Sequence, residues 1–166
     1  LERAIRGGAI ISAFDLTHLF KINNTAERLN KKAIVHLPID SYLGREGIMS
    51  DQVEKIVPEI KKLKNIILDG VYSHFANIED TMNRTHAERQ IKTYHQCVEI
   101  FKKNGFPKIK THISATSGIL TYESKNNLHE IVRLGIGLYG LWPSDHLEYL
   151  NKKKNILKPI LKWVTH

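Results

Sequence analysis

The sequence predicts an α/β fold with parallel strands, and two observations support this prediction. Short apolar runs alternate with helical hydrophobic patterns along the 166-residue chain. The apolar runs have the length and composition of fully buried parallel strands, whose crossover connections are helices. A complete (β/α) barrel takes about 250 residues. We therefore expect a partial TIM-type barrel with about five of its eight strand–helix units, and an open parallel sheet is the competing architecture.

The first two units begin with the apolar runs 9–14 and 33–39. A helix should start at Asp15 after the first run and bury one face, made of Leu16, Leu19, Phe20 and Leu29. A second helix should follow Ser50, with a buried face made of Val53, Ile56, Val57, Ile60 and Leu63. Pro58 lies within this pattern, so we expect it to kink the helix or shorten its first turns.

The other three units follow the same alternation. Residues 65–76 are predicted to be a strand that runs into a loop. Thr85 should open a third helix, with Glu88 completing a capping box and Gly105 ending the helix. Two further strands are predicted at 108–114 and 130–136.

Composition narrows the function classes. The formal net charge is +8, but the basic residues are scattered over helix faces without interleaved aromatic residues, so we do not expect nucleic-acid binding. No apolar run approaches the roughly 20 residues that span a bilayer, and the first residues do not resemble a signal peptide. The single cysteine, Cys97, cannot form an internal disulfide, and no Cys/His spacing predicts a metal site. A cytoplasmic protein is expected.

Candidate functional residues lie at the predicted carboxyl ends of strands, where parallel α/β folds place their chemistry. These segments are 40–47, 73–74, 112–118 and 133–136. Each segment alone is explained as well by turn capping or by glycine geometry as by a binding role.

Together, the segments predict a phosphate site. Thr116, Ser117 and Gly118 form a hydroxyl-rich loop, and Gly135 and Ile136 offer backbone N–H groups after the next strand. Arg133 and a histidine at position 74 would lie beside this site. Pyridoxal 5′-phosphate (PLP) fits a site that holds a planar phosphorylated ring, and a sugar phosphate fits the spacing equally well.

Five segments, in order along the chain, resemble the alanine racemase family. VHLPIDSYLGREGI (35–48) is similar to the family's V-H-L-K-x-D-T-G-M-x-R-x-G, and GVYSHFANIED (70–80) to G-x-x-T-H-F-A-x-A-D. THISATSGIL (111–120) resembles H-x-A-N-S-A-x-x-L, and IVRLGIGLYGLWPS (131–144) resembles V-R-P-G-I-x-L-Y-G-x-x-P. LKPILKWVTH (157–166) resembles the segment that leads from the barrel to a second, β-rich domain.

The resemblance implies a PLP enzyme that interconverts L- and D-alanine for cell-wall synthesis, usually as a homodimer. It assigns Arg133 to the pyridine nitrogen of PLP, where an arginine weakens the ring as an electron sink and favours reprotonation over transamination. His74 would lie near the ring and bond in the arginine network. Thr116, Gly135 and Ile136 would bind the phosphate, and Arg45 would lie near the substrate carboxylate.

Several positions depart from the family pattern. Pro38 stands where many members have a lysine, often carbamylated, that supports the equivalent of Arg45. Tyr42 replaces a glycine and Glu46 an apolar residue, so the loop that carries Arg45 is expected to be shaped differently. Ala115 replaces asparagine, and Leu134 replaces proline.

Two catalytic residues of the family have no counterpart here. Nothing matches the K-x-N-A-Y-G-H-G segment with the Schiff-base lysine, and the partner subunit's catalytic tyrosine would lie beyond His166. We therefore expect residues 1–155 to be a partial PLP-binding barrel domain, residues 156–166 to begin the connection to a β domain, and the fragment alone to be inactive. A serine or broad-specificity racemase, a related barrel decarboxylase and a non-catalytic PLP-binding remnant are the alternatives.

Overall fold

The computed structural model describes residues 1–80, 82–122, 129–151, 156–160 and 164. Within these residues, helices and strands alternate as α1 (Glu2–Arg6), β1 (Ile10–Ser12), α2 (Leu16–Arg28), β2 (Ala33–Asp40), β3 (Ile48–Met49), α3 (Val53–Lys62), β4 (Ile66–Tyr72), α4 (Thr85–Lys103), β5 (Lys110–His112), α5 (Thr116–Thr121) and α6 (Asp145–Asn151). Two 3₁₀ turns cover Ser50–Gln52 and Ile136–Tyr139.

The strands form one parallel sheet, as predicted. Its order is β1-β2-β4-β5, and the short β3, which the sequence analysis did not predict, pairs with the end of β2. The registers Ile34–Ile10, Val71–Leu37 and Val71–Thr111 align the strands so that their carboxyl ends meet at one edge. Residues that follow the strands are therefore neighbours in space.

The fifth predicted strand, at 130–136, was wrong. Within the described residues this segment makes an isolated parallel bridge between Ala115 and Arg133, and the N–H groups of Ile131 and Arg133 donate to the carbonyls of Thr111 and Ser114. The N–H groups of Gly135 and Gly137 turn instead to the Thr116 hydroxyl, and residues 136–139 continue as a 3₁₀ turn. Glycine has low strand propensity, so these contacts determine the local conformation. The strand at 108–114 is also shorter than predicted, at 110–112.

Helix ends were predicted with mixed success. Asp15 caps α2 as expected, because its carboxylate accepts from the N–H of His18 at 2.7 Å. The capping box at Thr85 was wrong: Arg84 occupies the cap position without a side-chain bond, and Thr85 is already helical. Pro58 lies inside α3, which is ten residues long and follows a 3₁₀ turn. Phe20, predicted to be buried, is 44% exposed.

The core lies between the sheet and its covering helices. Alternate strand residues point to the helices, and the helices contribute fully buried side chains to the same layer. The strand residues include Val35, Leu37, Ile39 and Val71, and the helix residues include Leu19, Ile22, Tyr94 and Phe101. The Tyr94 hydroxyl donates to the carbonyl of Val71 at 2.7 Å and accepts from the N–H of His112 at 3.2 Å. This contact fixes α4 to β4 and β5 near the strand ends.

Candidate cofactor site

Arg133 is the centre of the polar group at the strand ends. Its Nη2 donates to the carbonyls of Ser73 at 2.5 Å and Ile113 at 3.0 Å, and it lies 3.3 Å from Nδ1 of His74. The backbone N–H of Arg133 donates to the carbonyl of Ser114 at 3.0 Å. The arginine therefore joins the ends of β4 and β5, as the sequence analysis expected for neighbouring strand tips.

A buried donor of the Arg133 guanidinium has no partner among the described residues. This donor is the N–H group at Nε. The guanidinium carbon lies 5.0 Å from the ring centroid of Tyr72, on which the cation rests. Burial lowers the pKa of Arg133 from its usual value, although the group stays charged. A buried N–H donor that is left unpaired is costly, so this nitrogen is suited to a ligand acceptor.

His74 is held as a neutral imidazole. Because Nη2 of Arg133 can only donate, Nδ1 of His74 accepts and the ring proton is on Nε2. Burial, and then the charges of Arg133 and Arg45, lower the pKa of His74. The ring is therefore uncharged at neutral pH, and its protonation would place two positive charges side by side.

Gln90 positions the loop that carries His74, and the sequence analysis missed it. Its amide donates to the carbonyl of His74 at 3.1 Å and accepts from the N–H of Ala76 at 3.0 Å. The side chain is fully buried. Gln90 lies four residues before Tyr94 on the buried face of α4, which was the available sequence signal, but only the fold reveals its partners.

Thr116 and the turn at Gly135, Ile136 and Gly137 lie together and are here called the cradle. The Thr116 hydroxyl oxygen accepts from the N–H groups of Gly135 and Gly137, each at 3.2 Å. The hydroxyl hydrogen remains to donate, and no acceptor for it lies among the described residues. Sequence analysis placed residues 116–118 in a loop, but they form the first turn of α5. The predicted free N–H of Gly135 was also wrong in this structure, because that N–H bonds to Thr116.

The loop that carries Arg45 is shaped by Asp40. Its carboxylate accepts from the N–H of Leu43 at 2.8 Å and from that of Gly44 at 3.0 Å, which folds the chain directly after β2. Tyr42 adopts a left-handed conformation with φ of 72°, and the guanidinium of Arg89 lies 4.0 Å from its ring centroid. A tyrosine at this position is unfavourable on steric grounds, and the contact with Arg89 offsets part of that cost.

Arg45 is an exposed member of the predicted site residues. Its side chain is 56% exposed and pairs with Glu46, with Nη2 2.8 Å from Oε1. The hydrogen bond from Arg45 lowers the pKa of Glu46, as does the more distant charge of Arg133. Arg45 and Glu46 follow β2, so they lie at the same end of the sheet as the other site residues.

Pro38 is accommodated where β1 has ended. The carbonyl of His36 accepts from the N–H of Ala13, so this residue directs its backbone polar groups toward β1. Pro38, two residues later in β2, faces the same neighbour, but β1 ends at Ser12, before the level of Pro38. A proline in a central strand usually loses a ladder bond. The short β1 removes that cost.

The cavities of the structure support the assignment of the site to the strand ends only in part, because the cavity there is small. A pocket of about 80 Å³ opens beside the site, lined by His74, Phe75, Ile78, Glu79, Ala115, Ser117 and Gly118. A larger groove of about 990 Å³ runs along the outer face of α4, lined mainly by solvated helix residues such as Lys92, Glu99 and Lys103. Since convergent polar groups rather than volume identify a binding site, the strand ends remain the candidate.

No group of three or more metal-ligating side chains occurs among the described residues, and no described helix is long and apolar enough to cross a bilayer.

Gly137→Ala should disrupt the cradle. The added methyl would lie 2.7 Å from Cγ2 of Thr116 and 3.0 Å from a Leu134 methyl, so the threonine must shift away from its two N–H partners. We expect unfolding free energy to fall by about 1–3 kcal/mol, measured by urea denaturation. Leu138→Ala, in the same turn but 59% exposed, is the control and should change it by less than about 0.5 kcal/mol. Equal losses in both variants would contradict the cradle.

Comparisons with known proteins agree with the geometry. A family model described as the N-terminal domain of alanine racemase matches residues 1–143. Alanine racemase 2 of Caldanaerobacter subterraneus subsp. tengcongensis is 34% identical over 143 residues, covering 86% of this chain and 36% of that protein. The alanine racemase of Leptospira interrogans serovar copenhageni is 31% identical and covers 78% of this chain and 33% of that protein.

Solved structures share the fold. Alanine racemase from Clostridium difficile 630 superimposes with a TM-score of 0.81 at 29% identity, over 95% of this chain and 40% of that one. The Bartonella henselae enzyme, described with covalently bound pyridoxal phosphate, gives 0.69 at 22% identity, over 86% of this chain and 39% of that one.

The chain thus spans between a third and two fifths of the length of these relatives. Its parallel sheet corresponds to part of their barrel, which decides against the open-sheet architecture. The family match over most of the sequence, together with these relatives, shows that this chain belongs to the alanine racemase N-terminal domain family.

Proposed function

We propose that this chain binds PLP at the strand ends and forms the cofactor-binding part of an alanine racemase. The observation that supports this most directly is the unpaired, buried Nε of Arg133 beside the Thr116 cradle. The site then offers a fixed N–H donor for a ring nitrogen. It also offers a hydroxyl donor and backbone N–H donors for a phosphate. A sugar phosphate would also use the cradle, and its hydroxyl oxygens can accept from Arg133, so the binding experiment below compares the two ligands directly.

Each residue has a role that follows from its contacts. Thr116, Gly135 and Ile136 donate hydrogen bonds to the phosphate, for which the Gly135 N–H turns from the Thr116 hydroxyl to the anion. Arg133 donates to the ring nitrogen and stays protonated, so that nitrogen does not take a full proton from it. His74 accepts from Arg133 and holds the guanidinium in place. Bound PLP supplies the electron-withdrawing ring that stabilises negative charge at the substrate α-carbon.

Arg45 is proposed to orient the carboxylate of the amino-acid substrate. Glu46 satisfies the guanidinium until substrate binds, and the exposed side chain can reorient at low cost. A proton must be removed from one face of the α-carbon and returned to the other, which requires a base on each face. We propose that these bases, a lysine and a partner subunit's tyrosine, belong to parts of a homodimeric protein outside this chain, and that this chain alone does not racemise alanine.

Binding of pyridoxamine 5′-phosphate tests the proposal. This analogue has no aldehyde, so it cannot react with the many surface lysines and reports only the non-covalent site. We expect saturable binding by calorimetry, competed by inorganic phosphate and not by pyridoxine without phosphate. Equal binding of ribose 5-phosphate would favour a general phosphate site, and no binding of either would refute the proposal.

Activity is tested on a longer protein that joins this chain to the flanking segments of a relative. We expect racemisation of alanine, with slower turnover of serine and lysine, measured by the appearance of the D-enantiomers. Preference for serine or lysine would favour the broad-specificity alternative. Binding of the analogue without racemisation would favour the non-catalytic one.

A further inference from the structure

A β-bulge lies beneath the site. Val35 of β2 pairs with Leu68, but the next residue, His36, pairs with Gly70, so Asp69 is the extra residue of β4. A bulge turns a side chain out of its usual alternation. Here it brings the carboxylate of Asp69 within 2.9 Å of Nε2 of His36.

Three polar side chains continue from this bulge across the sheet. Nδ1 of His36 lies 2.9 Å from Nε2 of His112, and the His112 ring stacks on Tyr72 at a centroid distance of 4.9 Å. Tyr72 in turn lies beneath the Arg133 guanidinium. The series Asp69–His36–His112, here called the relay, therefore ends beside the residue that is proposed to hold the cofactor ring.

The relay is enclosed and cannot rearrange easily. His36 and His112 are 7% and 6% exposed. A Cβ on Gly70 would come within 2.8 Å of the His36 ring, so only glycine leaves room for the imidazole there. Nδ1 of His112 is buried without a partner among the described residues.

Hydrogen-bond chemistry gives the relay a direction. Lys110 lies 3.0 Å from Asp69, and the hydrogen bond from His36 lowers the pKa of that carboxyl, so Asp69 is ionised and only accepts. His36 must then carry a proton on Nε2. In its neutral form, Nδ1 of His36 accepts, and His112 supplies the proton from its own Nε2.

We propose that the relay fixes His112 as the neutral tautomer with its proton on Nε2 and a bare Nδ1. If Nδ1 of His36 donated instead, Nε2 of His112 would accept and the proton of a neutral His112 would lie on its buried Nδ1, as an N–H without an acceptor among the described residues. Burial and the Arg133 charge hold the pKa of His112 near 3. Asp69, His36 and His112 are positioning residues: they keep the imidazole of His112 uncharged, so that the Arg133 guanidinium supplies the positive charge that faces the ring nitrogen, a role that depends on the proposed function.

Ring-nitrogen NMR of the ¹⁵N-histidine-labelled chain at pH 8 tests the relay without cofactor. We expect His112 to show one protonated Nε2 and one unprotonated Nδ1. A proton on Nδ1, or two protonated nitrogens on His36, would overturn the proposal.

Two variants test whether the relay sets this state. In Asp69→Asn the amide can donate to Nε2 of His36, so the tautomers of both histidines should reverse or mix. Gly70→Ala should displace the His36 ring and give a mixture at His112. Glu59→Gln, which breaks the exposed pair with Lys62, should leave the spectrum unchanged. An unchanged His112 tautomer in folded Asp69→Asn would also refute the relay, and backbone amide spectra establish folding in each case.

Failure of the relay is distinguishable from failure of the proposed function. The histidine spectra are recorded without ligand and concern the relay alone. Pyridoxamine 5′-phosphate binding by the unaltered chain concerns the cofactor site alone. The predicted spectra without analogue binding would keep the tautomer assignment and remove its connection to PLP.

Discussion

Arg133→Leu is expected to cause the largest combined loss of stability and binding. The substitution removes the donor shared by the carbonyls of Ser73 and Ile113 and leaves both oxygens without it at the strand ends. Losing hydrogen bonds from a charged group to buried acceptors should lower the unfolding free energy by about 2–4 kcal/mol. The affinity for pyridoxamine 5′-phosphate should fall roughly 10- to 100-fold, since a charge-assisted hydrogen bond to the ring is lost.

Urea denaturation and calorimetry measure the two effects separately. Arg28→Leu is the matched control, because its guanidinium pairs with Glu2 on the surface with a side chain that is 68% exposed. That variant should change stability by less than about 0.5 kcal/mol and leave binding unaltered. An Arg133→Leu protein with unchanged affinity would show that the ring is not held by this arginine.

Acidification should destabilise the chain well above the pH at which carboxylates titrate. Burial lowers the pKa of His112 to about 3 in the folded protein, whereas an unfolded histidine titrates near 6.5. Below about pH 6.5 the imidazole of His112 binds a proton in the unfolded state but not in the folded state, so stability falls as pH falls. From pH 8 to pH 5, His112 alone should cost about 2 kcal/mol. His74, His95 and His129 have pKa values lowered by burial and add losses in the same direction.

Urea denaturation as a function of pH measures this loss. His112→Phe retains an aromatic ring against Tyr72 but cannot titrate, so its stability should depend less steeply on pH, from a lower plateau. His86→Asn, which replaces an exposed histidine, should keep the steep dependence. Parallel curves for the unaltered chain and His112→Phe would contradict the assignment of a buried neutral imidazole.

The pattern of apolar runs was sufficient to predict the parallel sheet and the convergence of its strand ends. Hydrophobic period and helix caps are local properties, and Asp15 was identified correctly from its position alone. The failures are tertiary. The segment 130–136 is apolar enough for a strand, and Arg133 still bridges to Ala115, but hydrogen bonds from Gly135 and Gly137 to Thr116, 19 and 21 residues away, take its end into a 3₁₀ turn.

The sequence predicted which residues of the site lie near one another, but not which polar contacts they make. Sequence position placed Arg133, His74 and Thr116 at adjacent tips, and the structure joins Arg133 to His74 directly. The bulge at Asp69 left no sequence signal, because one extra residue in a strand does not change its composition. Gln90 lies on the buried face of α4 at helical spacing from Tyr94, but its hydrogen-bond partners are in a loop 14 to 16 residues earlier, which the pattern does not identify. The proposed connection from residue 156 lies partly outside the described residues, although Ile160 bonds to the carbonyl of Tyr139 at 3.1 Å.

Amide and guanidinium NMR during titration with pyridoxamine 5′-phosphate tests the central claim most directly. A ligand held between the Thr116 cradle and Arg133 should shift the backbone signals of Gly135, Ile136 and Gly137 together with Nε of Arg133, all with one dissociation constant. The contradictory result is a set of shifts confined to the outer groove of α4, near Lys92, Glu99 and Lys103, with the strand ends unchanged.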